Sequence, residues 1–237
     1  PVSSFLHSAA MVAAGVFLIA RVMPLVQLAA GVSEALIAIG FASTMIGGLL
    51  ALGRDEMKRL LAYSTIGQYG YVVMLLGVGG TYGAIGAAFY VLAHALAKCA
   101  LFLTAGAVTE ATGRKRLSEL GGLSASMPLL AIASGVAAAT LAAWPLTIGF
   151  FKDEIFFAAM VERGMAFAAA AVLAAGLTFA YIGRFWGRLF LGPASVAGGR
   201  APNAMILPIA LLALLCVGGG VWGGPANLLA NAAGCAP

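Results

Sequence analysis

Residues 127–160 read MPLLAIASGVAAATLAAWPLTIGFFKDEIFFAAM, and the number of times this stretch crosses a membrane decides the fold. It is too long for one straight span, which needs about 20 mostly apolar residues. Its middle, Trp144-Pro145-Leu146-Thr147-Ile148-Gly149, contains a proline, which has no N–H to donate and so interrupts helical hydrogen bonding. The stretch is therefore either two short crossings or one discontinuous helix.

Six other apolar segments flank it, separated by breakers: roughly Val2–Ala20, Val32–Leu52, Leu60–Gly79, Tyr82–Val108, Gly164–Phe190 and Ala204–Trp222. The basic residues arbitrate between the two readings. With a single crossing, one side collects Arg54, Lys58, Arg59, Arg114, Lys115, Arg116, Arg184, Arg188 and Arg200, and the other holds Arg21 and Arg163. Nine against two is a strong positive-inside pattern. Two crossings would reverse the last two segments and leave six against five. The expectation is thus an all-α membrane protein of about seven transmembrane helices, one of them discontinuous. Residue 1 enters from the cytoplasmic side of the cell inner (plasma) membrane, and the C-terminal tail ends outside.

Composition agrees. Of 237 residues, 62% are hydrophobic and 9% charged, and mean hydropathy is +1.04. Soluble domains carry about 25% charged residues, so this composition excludes a soluble enzyme, a nucleic-acid binder and a disordered chain. The net charge of +5 fits loops that meet an anionic leaflet rather than a nucleic-acid partner. Cys99, Cys216 and Cys235 show no metal or disulfide spacing. No phosphate loop, dinucleotide fingerprint, haem or iron–sulfur pattern appears, so no cofactor, metal, redox site or hydrolytic site is expected. A chain that begins at Pro1 inside apolar sequence reads as the later part of a longer protein.

Two lysines, Lys98 and Lys152, fall inside the spans. A lysine at the bilayer centre costs about 2.5–3.5 kcal/mol even on a lenient scale, and such residues mark ion or proton pathways. Tyr90, His94 and Lys98 stand at i, i+4 and i+8, which stacks them along one helical face. Burial disfavours the charged form of an amine, so Lys98 is a candidate to load and release a proton. The bland alternative is that Lys98 snorkels while His94 bonds a neighbouring helix. Snorkelling is awkward for a residue so deep in a long segment, and the proton path is preferred.

Lys152 follows the break in Phe150-Phe151-Lys152-Asp153-Glu154. Interrupted helices free backbone groups, which membranes tolerate where a cavity is lined. Asp153 and Glu154 are accessory candidates beside it. Equally, they could simply cap the second half-helix, since acids favour a helix N-terminus. His7 alone reads more readily as a packing residue than as a relay. Glu34 reads as an interfacial or capping acid, and Arg54 to Arg59 as a solvated loop. Gly47-Gly48, Gly183 with Gly187, and Gly218 to Gly220 are expected to let helices approach closely.

Five strings then resemble a known family: Pro1 to Val12 (PVSSFLHSAAMV), Lys58 to Gln68 (KRLLAYSTIGQ), His94 to Phe102 (HALAKCALF), Thr112-Gly113-Arg114 through Leu120 to Leu123, and Gly149 to Glu154 (GFFKDE). They are similar to the proton-conducting antiporter-like subunits of respiratory complex I, membrane-bound hydrogenases and Mrp-type Na+/H+ antiporters. The resemblance covers roughly residues 1–190. It implies five-helix inverted repeats, each with a broken helix, which build linked half-channels. Residues 1–31 would then be the last helix of a first repeat, 32–190 the second repeat, and 191–237 a loop, a final helix and a short tail. His7 matches the histidine that links the half-channels, Lys98 the central lysine, His94 the histidine one turn before it, and Lys152 the lysine on the broken helix.

The resemblance implies a proton-translocating subunit of an Mrp-type cation/proton antiporter. Its partners would be other membrane subunits, with protons, and Na+ or K+ as further candidate ions. The alternatives are a pumping subunit of NADH:quinone oxidoreductase or a hydrogenase, or a scaffold that transports nothing. Two departures stand out. Tyr90 replaces a histidine of some relatives, and Ala143-Trp144-Pro145-Leu146-Thr147 replaces the Gly-(Leu/Ile)-Pro-Pro pattern common among Mrp chains.

Overall fold

The computed structural model describes residues 11–26, 29–193 and 201–222. Among them, eight α-helices follow one another: α1 (Met11–Val26), α2 (Val32–Leu52), α3 (Met57–Val78), α4 (Gly80–Thr112), α5 (Pro128–Leu141), α6 (Ile148–Arg163), α7 (Met165–Phe190) and α8 (Asn203–Val221). A short 3-10 turn, Leu117–Glu119, precedes α5. No strand occurs among the described residues. In lipid every backbone N–H and C=O must be paired, and a helix does so within its own segment. Helices α2, α3, α4, α7 and α8 are long and apolar enough to cross a membrane, and α1 and α5 are shorter apolar helices. The protein is a multi-pass membrane protein.

The break at Pro145 crosses once. At one end of the bundle, Met57 N donates to Lys115 O at 3.0 Å, Leu117 N to Asp55 O at 2.8 Å and Gly122 N to Leu191 O at 3.1 Å. Arg184 Nη1 reaches Arg54 O at 2.6 Å. These contacts gather the α2–α3 turn, the loop before α5 and the end of α7 together. At the opposite end, Arg163 closes α6 and donates to Ser33 Oγ at 2.8 Å and Val78 O at 3.3 Å. The two half-helices α5 and α6 thus run from one face to the other, as the basic residues predict.

The break has a covalent cause. Pro145 has no N–H to offer Leu141 O, so α5 ends at Leu141. Trp144 N reaches back to Ala139 O at 2.9 Å. Ala143 and Leu146 adopt positive φ of 58° and 71°, a conformation that L-residues pay for. Across the gap Gly149 lies against the backbone of Thr140, and a side chain there would overlap it.

Elsewhere the α2–α3 contact is the tightest. Gly47 faces Gly67, and Thr44 Oγ1 donates to Gly67 O at 3.0 Å, the small-residue packing used where lipid gives no hydrophobic drive. The main core lies among α3, α4, α5, α7 and α8.

Three expectations change. Arg54 to Arg59 is a short turn rather than a solvated loop: Met57 is buried and opens α3, and Glu56 pairs with Arg59 at 3.1 Å. The first segment runs on past Ala20 to Val26, because a bilayer-facing helix absorbs Pro24 by losing one bond. Gly183 and Gly187 face open space instead of a neighbouring helix.

Candidate functional site

Helices α3 and α4 lie antiparallel, and the polar residues of α4 meet those of α3 turn by turn. Lys98 is fully buried. Its Nζ donates to Leu61 O at 2.9 Å and to Ser64 Oγ. Both partners are neutral oxygens. One turn earlier, His94 is 1% exposed and makes an edge contact with Tyr69, ring centroids 5.1 Å apart and planes at 76°. Neither nitrogen of His94, nor the Tyr69 hydroxyl, has a hydrogen-bond partner among the described residues. A buried polar group left so costs about 1–3 kcal/mol, and such groups are uncommon in native interiors.

A further turn along, Tyr90 is fully buried, stacks on Tyr71 at 5.5 Å and donates to Gln68 Oε1 at 3.0 Å. Gln68 then uses its Nε2 on α7, donating to Thr178 Oγ1 at 3.1 Å and Tyr181 Oη at 3.0 Å. The Tyr71 hydroxyl meets Thr178 Oγ1 at 3.1 Å. Amide, phenols and hydroxyl therefore tie α3, α4 and α7 into one buried polar cluster.

Lys152 joins this cluster from α6. It is fully buried, and its Nζ donates to Asp153 Oδ1 at 2.7 Å and makes long contacts of 3.5 Å with Tyr90 Oη and Leu141 O. It also sits 4.5 Å over the Tyr90 ring. Leu141 O is the carbonyl that Pro145 leaves without its helical donor, so the helix break supplies an acceptor to the lysine. Removing an ammonium from water costs several kcal/mol unless it is paired, and Asp153 provides the opposite charge.

The structure thus brings Tyr90, His94, Lys98, Lys152 and Asp153 into one buried region. Glu154, the other accessory candidate, stands on the exposed face of α6, because the residue after Asp153 is turned by about 100° on a helix of 3.6 residues per turn. His7 lies outside the described residues. Glu34 is exposed in the first turn of α2, as expected of an interfacial acid. The sequence reading missed Ser64, Gln68, Tyr71, Thr178 and Tyr181. A signal existed, since Ser64, Gln68 and Tyr71 stand at i, i+4 and i+7 and Thr178 and Tyr181 at i and i+3 within apolar spans.

With this geometry in hand, similarity to known proteins becomes informative. Residues 1–178 match the family model described as NADH:quinone oxidoreductase/Mrp antiporter, TM. The A/B subunit of a probable K(+)/H(+) antiporter of Rhizobium meliloti is 39% identical over 165 residues, covering 68% of this chain and 16% of that protein. NADH-quinone oxidoreductase subunit L of Mycobacterium tuberculosis is 37% identical over 236 residues, covering 92% of this chain and 37% of its own length. Among solved structures, the Mrp complex of Dietzia sp. superposes with a TM-score of 0.84 over 92% of this chain and 50% of that chain. At 24% identity it speaks for the fold alone. The chain spans half or less of the length of each of these relatives. The match over residues 1–178 and the identities to antiporter and oxidoreductase subunits place the chain in the NADH:quinone oxidoreductase/Mrp antiporter membrane family, to which it belongs.

Proposed function

We propose that this chain forms the proton-conducting part of a cation/proton antiporter subunit of the Mrp type, working beside other membrane subunits. Residues 32–190 act as a second five-helix repeat: α2, α3, α4, the broken pair α5–α6 and α7. Residues 1–31 close a first repeat. The single observation that carries the reading is the pair of fully buried lysines, Lys98 and Lys152, on helices that meet at Tyr90. Tyr90, His94 and Lys98 follow one another along one face of α4 at about 6 Å of axial rise per step. Protons pass between Lys98 and Lys152 through His94 and Tyr90, and His7 hands over from the preceding repeat. Asp153 holds the charge of Lys152. The end that carries Arg54, Lys58, Arg59, Arg114, Lys115 and Arg116 faces the cytoplasm.

A second reading, the pumping subunit of an NADH:quinone oxidoreductase, is favoured by the likeness to subunit L extending over 92% of this chain. Neighbouring genes separate the two: small antiporter subunits or quinone-reductase subunits. The relay itself is tested by Lys98→Met and Lys152→Met in the assembled protein, reconstituted in vesicles with a pH-sensitive dye. Each change should abolish proton flux. Wild-type flux in either, with assembly intact, refutes the relay.

A further inference from the structure

The geometry points to Tyr69 as a relay residue that opens a lateral branch from His94 toward α1, taking water and its excess proton as ligand. This rests on the proton relay proposed above and names the step by which a proton reaches His94 from the α1 side. Two buried polar groups, the His94 imidazole and the Tyr69 hydroxyl, lack protein partners among the described residues and belong to rings in direct edge contact. For packing alone, phenylalanine would fill the place of Tyr69 without burying an oxygen. Tyr69 also has a second neighbour. It lines a groove of about 320 Å³ between α1, α2 and α3, together with Val12, Val16, Ile19, Ser43 and Ile66. The residue therefore stands between that groove and His94, whereas Lys98, which does not line the groove, has its Nζ bonded to Leu61 O and Ser64 Oγ.

The chemistry balances with water as the only co-reactant. A hydronium on the α1 side gives a proton to Tyr69 Oη, which releases its own hydrogen to a water beside His94. That water passes a proton to a ring nitrogen, and the imidazolium gives its other N–H proton toward the neutral amine of Lys98. The hydronium ends as water, Tyr69 and the intervening water end as they began, His94 ends in its other neutral tautomer and Lys98 as an ammonium, so one proton has moved from α1 to Lys98. A phenol is the group for this place because its oxygen accepts and donates in the same event.

The test uses the assembled protein in vesicles with a pH-sensitive dye, comparing wild type with Tyr69→Phe, Tyr69→His and Lys98→Met. Tyr69→Phe keeps the ring against His94 and removes one oxygen. Its proton flux is expected to fall about 100-fold, the low end for losing a positioned proton-transfer group, with thermal unfolding of the complex unchanged. Tyr69→His returns a group that accepts and donates, and is expected to recover most of the flux. Wild-type flux in Tyr69→Phe while Lys98→Met is dead overturns the branch and leaves the relay standing. Flux in Tyr69→His no higher than in Tyr69→Phe also overturns it, since the loss then reflects packing. Wild-type flux in Lys98→Met overturns the relay, and the branch with it.

Discussion

Gly149→Ala puts the helix break under the most direct test. The added methyl would fall within 2.6 Å of Thr140 C and 2.9 Å of Thr140 Cα, and closer still to the carbonyl oxygen. Carbon atoms in contact prefer about 3.5–4.0 Å, so α6 has to retreat from α5 by about 1 Å. All three atoms met are backbone, and no side-chain rotation relieves the clash. Lys152 lies less than one turn farther on, and its contacts with Tyr90 Oη and Leu141 O already stand at 3.5 Å. A shift of that size takes them beyond hydrogen-bond reach.

Overpacking of this kind costs about 1–3 kcal/mol, and a misplacement of about 1 Å at a reacting group can cost on the order of 100-fold in rate. Thermal unfolding of the purified assembly and dye-reported proton flux in vesicles read the two effects. Gly176→Ala is the matched control: it is an exposed helical glycine with nothing within 4 Å, and should be stabilised by up to about 1 kcal/mol. A Gly149→Ala protein with unchanged unfolding and unchanged flux would refute the backbone-to-backbone approach and the seating of Lys152 derived from it.

Two further outcomes follow from the same cluster. Asp153→Ala strands the Lys152 ammonium with only its long contacts, which should cost about 3–5 kcal/mol and lower the unfolding temperature. Glu154→Gln, on the exposed face, should leave that temperature unchanged, and equal losses in both would contradict the pairing at 2.7 Å. Gln68→Leu removes the acceptor of Tyr90 and leaves Thr178 and Tyr181 without their shared donor, a cost of about 1–3 kcal/mol per unsatisfied group. A calorimetric unfolding temperature equal to wild type would show that the cluster does not tie α3 to α7.

The division between what sequence and structure each supplied follows from range. Apolar length, the missing N–H of Pro145 and the distribution of nine basic residues are local or summed properties, and they were sufficient to derive a helical membrane protein with one broken helix. Lys98, Lys152 and the Tyr90–His94–Lys98 face were legible because charge inside an apolar run is costly wherever the chain folds. Helical spacing placed the three α4 residues on one face, but it carries no information about what the face meets. That Lys98 is held by Leu61 and Ser64, that Gln68 joins Tyr90 to Thr178 and Tyr181 at a separation of 110 residues or more, and that Asp153 rather than Glu154 pairs with Lys152 depend on how helices rotate and dock. Those rotations are set by backbone approach, Gly47 on Gly67 and Gly149 on Thr140. Sequence alone therefore determined which residues are too polar for the membrane they occupy. The tertiary structure decided which oxygens make them tolerable, because most of the hydrogen-bond partners, Leu61, Ser64, Gln68 and Leu141 among them, lie on other helices and only packing brings them within reach.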